Sequence, residues 1–245
     1  MNWGKAKSIL IVALALTNLL LIGIYGLQYA RNQHQDDNLY EYTVSLLEEN
    51  NVYLGNIEIP EKAGKMSSLT VAYDTFDSEA MDARILSGNY GQPQGTSDDE
   101  IIYYCDKILS ESELMNDNVV CEGLKSDGAH TEVIYENYYE NIPVEECEMK
   151  FIFENGSFTG FERKWIDVVE EGNTKKDTIS PISALLIFQN TINITEPVNI
   201  DSIKIVYLLE SYDIQGELPI SDTAFPAWQI KYSGGTVIYI SAFEQ

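Results

Sequence analysis

Between Ser8 and Ala30 the chain runs for 23 residues without an Asp, Glu, Lys or Arg. At about 1.5 Å per residue a helix over this run is roughly 34 Å long, which crosses a hydrocarbon core of about 30 Å once, with some tilt. The flanks set its direction. Lys5 and Lys7 precede it, whereas Arg31 is soon followed by Asp36 and Asp37, so the positive-inside rule keeps the N-terminus cytoplasmic. A cleavable signal needs a shorter apolar region ending in a small-x-small site. Here the best candidate ends in Gln28-Tyr29-Ala30, so the run is expected to stay as an anchor. The expected organisation is residues 1–7 in the cytoplasm, residues 8–30 as a transmembrane helix in the lipid bilayer, and the remainder extracellular. That makes a single-pass protein of the cell membrane.

Without Lys5, Lys7 and Arg31, the 39 acidic groups face 12 basic ones, a formal net of −27 over residues 32–245. Such a surface repels phosphate backbones and anionic headgroups, which excludes nucleic acid as a partner. The 16 Tyr and 8 Phe argue for packed sheet surfaces. Cys105, Cys121 and Cys147 are odd in number and form no CxxC pair, so both one bridge with a free thiol and three unpaired thiols stay open.

The pattern along the exported part predicts an α+β fold. Residues 31–95 form a membrane-proximal segment: a helix over Asp36–Asn50, strands over Tyr53–Pro60 and Ser67–Phe76, a helix over Asp77–Leu86, and a loop over Gly88–Gly95 as boundary. Two units of helix plus antiparallel sheet follow, 96–177 and 178–245. In the first, Ser97-Asp98-Asp99-Glu100 is a capping box opening a helix with Ile101, Cys105 and Ile108 on one face. A strand over Thr131–Tyr139 precedes a hairpin in which Glu148–Glu154 turns at Asn155-Gly156 into a strand through Phe158, Phe161 and Trp165. A polar break follows at Glu170–Asp177. In the second unit, Ser180 caps a helix with Pro181 at its first position, and Ile203, Ile205, Tyr207 and Leu209 alternate with Lys204 and Glu210. A last hairpin pairs Ala227–Tyr232 with Thr236–Phe243 across Gly234-Gly235. The hairpin edges Glu148–Glu154 and Thr236–Phe243 are candidates for adding strands to a neighbour.

Catalytic signatures are missing. His34 and His130 are too few for the common zinc sites, and His130-Thr131-Glu132 lacks the Pro-Cys-x-x-Cys that completes a zinc deaminase signature. No GxSxG, SxxK, HExxH or Walker loop occurs. The acidic pairs Asp98-Asp99, Glu145-Glu146 and Glu170-Glu171 lack the spacing of a calcium loop. No enzyme activity, metal or cofactor is expected. The informative polar residue is Asn18, near the middle of the apolar run, where its amide needs a partner that a second membrane helix supplies at roughly 0.5–2 kcal/mol. Ala13 and Thr17 make a small-xxx-small pair beside it, so Asn18, Ala13 and Thr17 are the expected contact site within the membrane.

The opening Met1-Asn2-Trp3-Gly4-Lys5-Ala6-Lys7, with Thr17-Asn18-Leu19 inside the apolar helix, resembles the YycI family of bacterial two-component-system regulators. The terminal Pro226-Ala227-Trp228-Gln229-Ile230 and Tyr239-Ile240-Ser241-Ala242 are similar to that family too. The resemblance implies a Gram-positive membrane protein with an extracytoplasmic YycH-like α+β domain. It implies action with a YycH-like protein on a membrane sensor histidine kinase of the cell wall (WalK/YycG type), through contacts between membrane helices. A rival expectation is an anchored PepSY-like module that binds or inhibits a wall hydrolase or peptidase, with the helix as a mere tether.

Overall fold

Two capped helices organise the folded part of the chain. Ser97 and Glu100 close the expected capping box, with Glu100 Oε2 accepting from the Ser97 backbone N–H at 3.3 Å and from its hydroxyl at 2.7 Å. Ser180 Oγ accepts from the Ser183 N–H at 3.1 Å ahead of Pro181. The computed structural model describes residues 14, 17–19, 21–23, 40–74, 76–91, 93, 97–192, 194, 196–209 and 221–243. Its helices beyond residue 31, among the described residues, are α1 (40–49), α2 (Ser78–Leu86), α3 (Asp98–Glu111) and α4 (Pro181–Thr191). Its strands are β1 (Val52–Tyr53), β2 (Lys65–Met66), β3 (Leu69–Tyr73), β4 (Val119–Asp127), β5 (His130–Tyr139), β6 (Ile142–Glu154), β7 (Ser157–Lys164), β8 (Ile166–Glu171), β9 (Lys176–Asp177), β10 (Val198–Leu209), β11 (Ser221–Tyr232) and β12 (Thr236–Ser241). This is a mixed α+β fold, rich in sheet.

Ten strands form one sheet in the order β4-β5-β6-β10-β11-β3-β8, with β7 on β6, β12 on β11 and β1 on β10. Two antiparallel meanders meet in it. β4 to β7 pair in chain order, as do β10 to β12, and the two sets touch through the parallel pair Tyr207–Val144. A second tie is made by β3, which pairs with β8 on one side and with β11 on the other. Helices cover one face. Ile101, Tyr104, Cys105 and Ile108 of α3 share a core with Val133, Tyr135, Met149, Phe151 and Phe153, while Ala184, Leu185 and Phe188 of α4 share another with Ile200, Ile203, Trp228, Ile230 and Ile240. Tyr207, Leu209 and Ala224, on β10 and β11, belong to the first core, so the sheet carries one buried face across both.

Several local readings change. The strand expected over Tyr53–Pro60 shrinks to β1, because Gly55 at φ +57° turns the chain and the Ile57 N–H closes on the Leu54 carbonyl at 3.3 Å. The break at Glu170–Asp177 is partly strand, since β8 runs to Glu171 and β9 pairs with β2. β4 appears where no strand was expected. Glu148–Glu154 is not an edge, because β5 pairs with one side of it and β7 with the other. The expected transmembrane helix over 8–30 falls largely outside the described residues. Residues 14, 17–19 and 21–23 are helical, and among the described residues no helix is long and apolar enough to cross a membrane.

Candidate partner-binding face and edge

The residues expected to act within the membrane are only partly described. Thr17 and Asn18 lie in helical backbone and are exposed, beside the exposed apolar Leu14, Leu19, Leu21 and Ile22, and Ala13 lies outside the described residues.

Beyond residue 31, the chemistry concentrates where β10, β11 and β12 run side by side. Alternation sends Ile203, Ile205 and Tyr207, with Trp228, Ile230 and Ile240, towards the helices. It sends Lys204, Val206, Leu208, Phe225, Ala227, Gln229, Tyr239 and Ser241 to the opposite face. The described helices α1 to α4 all place their buried side chains in the two cores on the first face. A groove of about 570 Å³ is lined by Leu208, Phe225, Ala227, Tyr239 and Ser241 of that opposite face together with Leu209 and Pro226, which alternation sends to the first face.

The residues similar to family motifs build this region. Pro226 has no N–H, so the Ala242 carbonyl opposite it takes the Ile179 N–H instead, at 2.8 Å, while the Ala242 N–H bonds the Pro226 carbonyl at 2.9 Å. The indole of Trp228, fully buried, donates to the Ile179 carbonyl at 3.2 Å. Both groups of Ile179 are thereby fixed, one residue before the Ser180 cap, which sets α4 against the last hairpin. On the other face Tyr239 Oη donates to Glu145 Oε2 at 2.9 Å, and Lys204 Nζ lies 3.5 Å from Glu145 Oε1. Burial, reinforced by Glu145, pushes the Tyr239 hydroxyl up to about 12, so it stays a neutral donor. Gln229, 3% exposed, offers its Nε2 to Tyr239 Oη at 3.5 Å and leaves Oε1 unpartnered. Turning the amide over would only exchange which atom lacks a partner.

The strands that end the sheet differ in their protection. β4 carries Glu122, Lys125 and Asp127 and bulges at Gly123, where φ is +122°. β7 carries Glu162, Arg163 and Lys164, is packed by α2, and gives the Phe161 N–H to Asp82 at 2.5 Å. β8 carries Asp167, Glu170 and Glu171. β12, Thr-Val-Ile-Tyr-Ile-Ser, has no charge, Pro or bulge, and among the described residues it pairs only with β11. Because the Ala242 N–H points to β11, the alternation of an antiparallel ladder turns the N–H and C=O of Val237, Tyr239 and Ser241 outward.

The remaining candidates are structural. His130 bridges Glu154 (Nδ1, 2.7 Å) and Glu132 (Nε2, 3.1 Å), and hydrogen bonds first to Glu154 and then to Glu132 raise its pKa. Among the described residues no three His, Cys, Asp or Glu side chains are placed to hold a metal ion. All three cysteines are free. Burial raises the thiols of Cys105 and Cys121 and pushes Cys147 up to about 11, where it accepts from the Ile166 N–H at 3.1 Å.

Against known families, residues 32–243 match the family model described as YycI protein. The chain belongs to the YycI family. Membership suggests a regulatory role in the YycG/WalK two-component system. No curated protein matches. Among solved structures, an uncharacterized protein from Eubacterium rectale is similar at 12% identity and a TM-score of 0.42, over 68% of this chain and 58% of that one. The YycI chain thus spans less than two thirds of that protein's length.

Proposed function

We propose that this YycI-family chain is a single-pass accessory regulator, anchored by residues 8–30 with its N-terminus in the cytoplasm and its α+β part outside. It biases a cell-wall-sensing histidine kinase of the WalK/YycG type by packing its membrane helix against those of the kinase, in company with a YycH-like protein. It carries out no chemistry of its own. The family match over residues 32–243 carries the regulatory role. The uncharged run with Asn18 at its centre supports the route through the membrane, since an amide in hydrocarbon gains most from a partner helix. For useful control the packing must differ between the kinase's two signalling states by about 1–3 kcal/mol, because equal contact with both shifts nothing.

The test replaces residues 8–30 by an unrelated apolar helix and reads kinase autophosphorylation in vesicles holding kinase, YycH-like protein and this chain. Loss of the regulatory effect is the expected result. Full regulation by the chimera would refute the helix-packing route and favour the helix as a tether.

A further inference from the structure

Two of the three cysteines meet in the first core from facing elements. Cys105 projects from α3 and is fully buried, while Cys121 stands half-buried on β4, packed against the same core. Tyr135 links them. It is the register partner of Cys121, so both side chains leave one face of the β4–β5 pair with their Cβ atoms about 5 Å apart. Its hydroxyl donates to Asp106 Oδ1 at 2.7 Å and reaches the Ile102 carbonyl at 3.5 Å, which seats it on a single turn of α3. Cys105 belongs to that turn, three residues after Ile102, and residues three apart share a helix face. The Cys121 thiol is close enough to add to the upward push that burial, and then Asp106, give Cys105. Cys147 is held elsewhere, accepting from the Ile166 N–H at 3.1 Å and lying 3.7 Å from Asn137 Nδ2. β4 has room to adjust. It ends the sheet, pairs among the described residues only with β5, and bulges just after Cys121 at Gly123, beside which a Cβ would meet nothing within 4 Å.

We infer that Cys105 and Cys121 are a disulfide-forming pair, closed by exchange with a small-molecule disulfide that enters at Cys121. The thiolate of half-exposed Cys121 attacks one sulfur of the oxidant RSSR, forming a mixed disulfide and expelling one thiolate. The Cys105 thiolate then attacks Cys121 Sγ and expels the second. The two expelled thiolates take up the two protons that the cysteines give up, so two protein thiols are oxidised and one RSSR is reduced to two RSH. The new bond staples α3 to the end strand β4 across the connection 112–118, and closing that loop favours the folded over the unfolded chain. The first unit thereby has two states, set by the thiol–disulfide balance around it. The exchange needs only the folded chain and holds or fails apart from the membrane-helix reading.

The experiment incubates full-length protein in detergent micelles with oxidised glutathione at about pH 8.5, near the ordinary thiol pKa. N-ethylmaleimide in mildly acidic denaturant stops the reaction, and trypsin digestion follows. Cuts after Lys107 and Lys125 leave Cys105 and Cys121 in separate peptides, which only a bridge joins. These two peptides are expected joined, with Cys147 carrying the maleimide. The midpoint of thermal unfolding is expected to rise by about 5 °C or more and to return with dithiothreitol. Cys105→Ser is expected to stop at a glutathione adduct on Cys121, and Cys121→Ser to give neither adduct nor bridge. No reaction at either cysteine, a lasting adduct on wild-type Cys121 without a bridge, a bridge that includes Cys147, or a bridged protein that unfolds where the reduced one does would overturn the inference.

Discussion

The helix-and-sheet units built on α3 and α4 follow the same order of elements and end differently. Around α3, Phe151 packs edge-on or tilted against Tyr135, Phe158 and Phe161, and the outer strands are charged, bulged or covered. Around α4 the core is mostly aliphatic about one Trp, a groove opens beside the strands, and β12 carries no charge and, among the described residues, pairs only with β11. One helix on one antiparallel meander thus yields both a closed unit and an open one. The difference lies in the outer strand and the outer face.

The largest effects test whether the two cores are one folding unit. Phe151→Ala in the first and Trp228→Ala in the second should each cost about 3–5 kcal/mol. Because Tyr207, Leu209 and Ala224 of the second meander are buried in the first core, both variants should shift a single urea transition, read by tryptophan fluorescence and by circular dichroism. Two separate transitions would break that unity. Next come the ion pairs. Arg163, its side chain 8% exposed, holds Asp74 through Nε at 2.8 Å and lies over Trp165 at 4.8 Å. Asp74→Ala strands that guanidinium and should cost about 3 kcal/mol, whereas Lys204→Met on β10, where Lys204 is 37% exposed, should cost under about 1 kcal/mol. The caps should be equal: Ser97→Ala and Ser180→Ala are each expected to lower stability by about 1 kcal/mol in chemical denaturation.

The smallest effect belongs to His130. A raised pKa in the folded state adds stability that is fully present below the ordinary histidine value near 6.5 and fades as pH climbs through the raised value. Stability measured from pH 6 to 8 should therefore fall slightly in wild type, and His130→Gln should remove that part of the slope.

Local signals in the sequence located what local physics fixes. Ser97-Asp98-Asp99-Glu100, Ser180-Pro181 and Asn155-Gly156, whose φ angles are +51° and +76°, mark α3, α4 and the β6–β7 turn as expected. β4 escaped because Glu122-Gly123-Leu124-Lys125 breaks alternation at its bulge, and β8 was read as the end of the same strand as β7, because only the pairing of β3 beside it shows that the chain changes neighbours at Trp165. The insertion of β3 between β8 and β11 joins residues far apart in the chain, which no periodicity records. Thr236–Phe243 was read as a hairpin edge, and so was Glu148–Glu154, and only the sheet order separates them. The roles of Pro226 and Gln229 depend on what lies opposite them, Ala242 and Tyr239, and so were invisible before pairing was known.

The most direct measurement is capture of the host's membrane histidine kinase by the full-length protein in mild detergent, compared with Asn18→Leu and with a chain lacking residues 1–30. Capture that weakens with Asn18→Leu and disappears without the helix is the expected result. A kinase held equally well by all three, or a wall hydrolase held by the shortened chain with no kinase in any sample, would contradict regulation through the membrane.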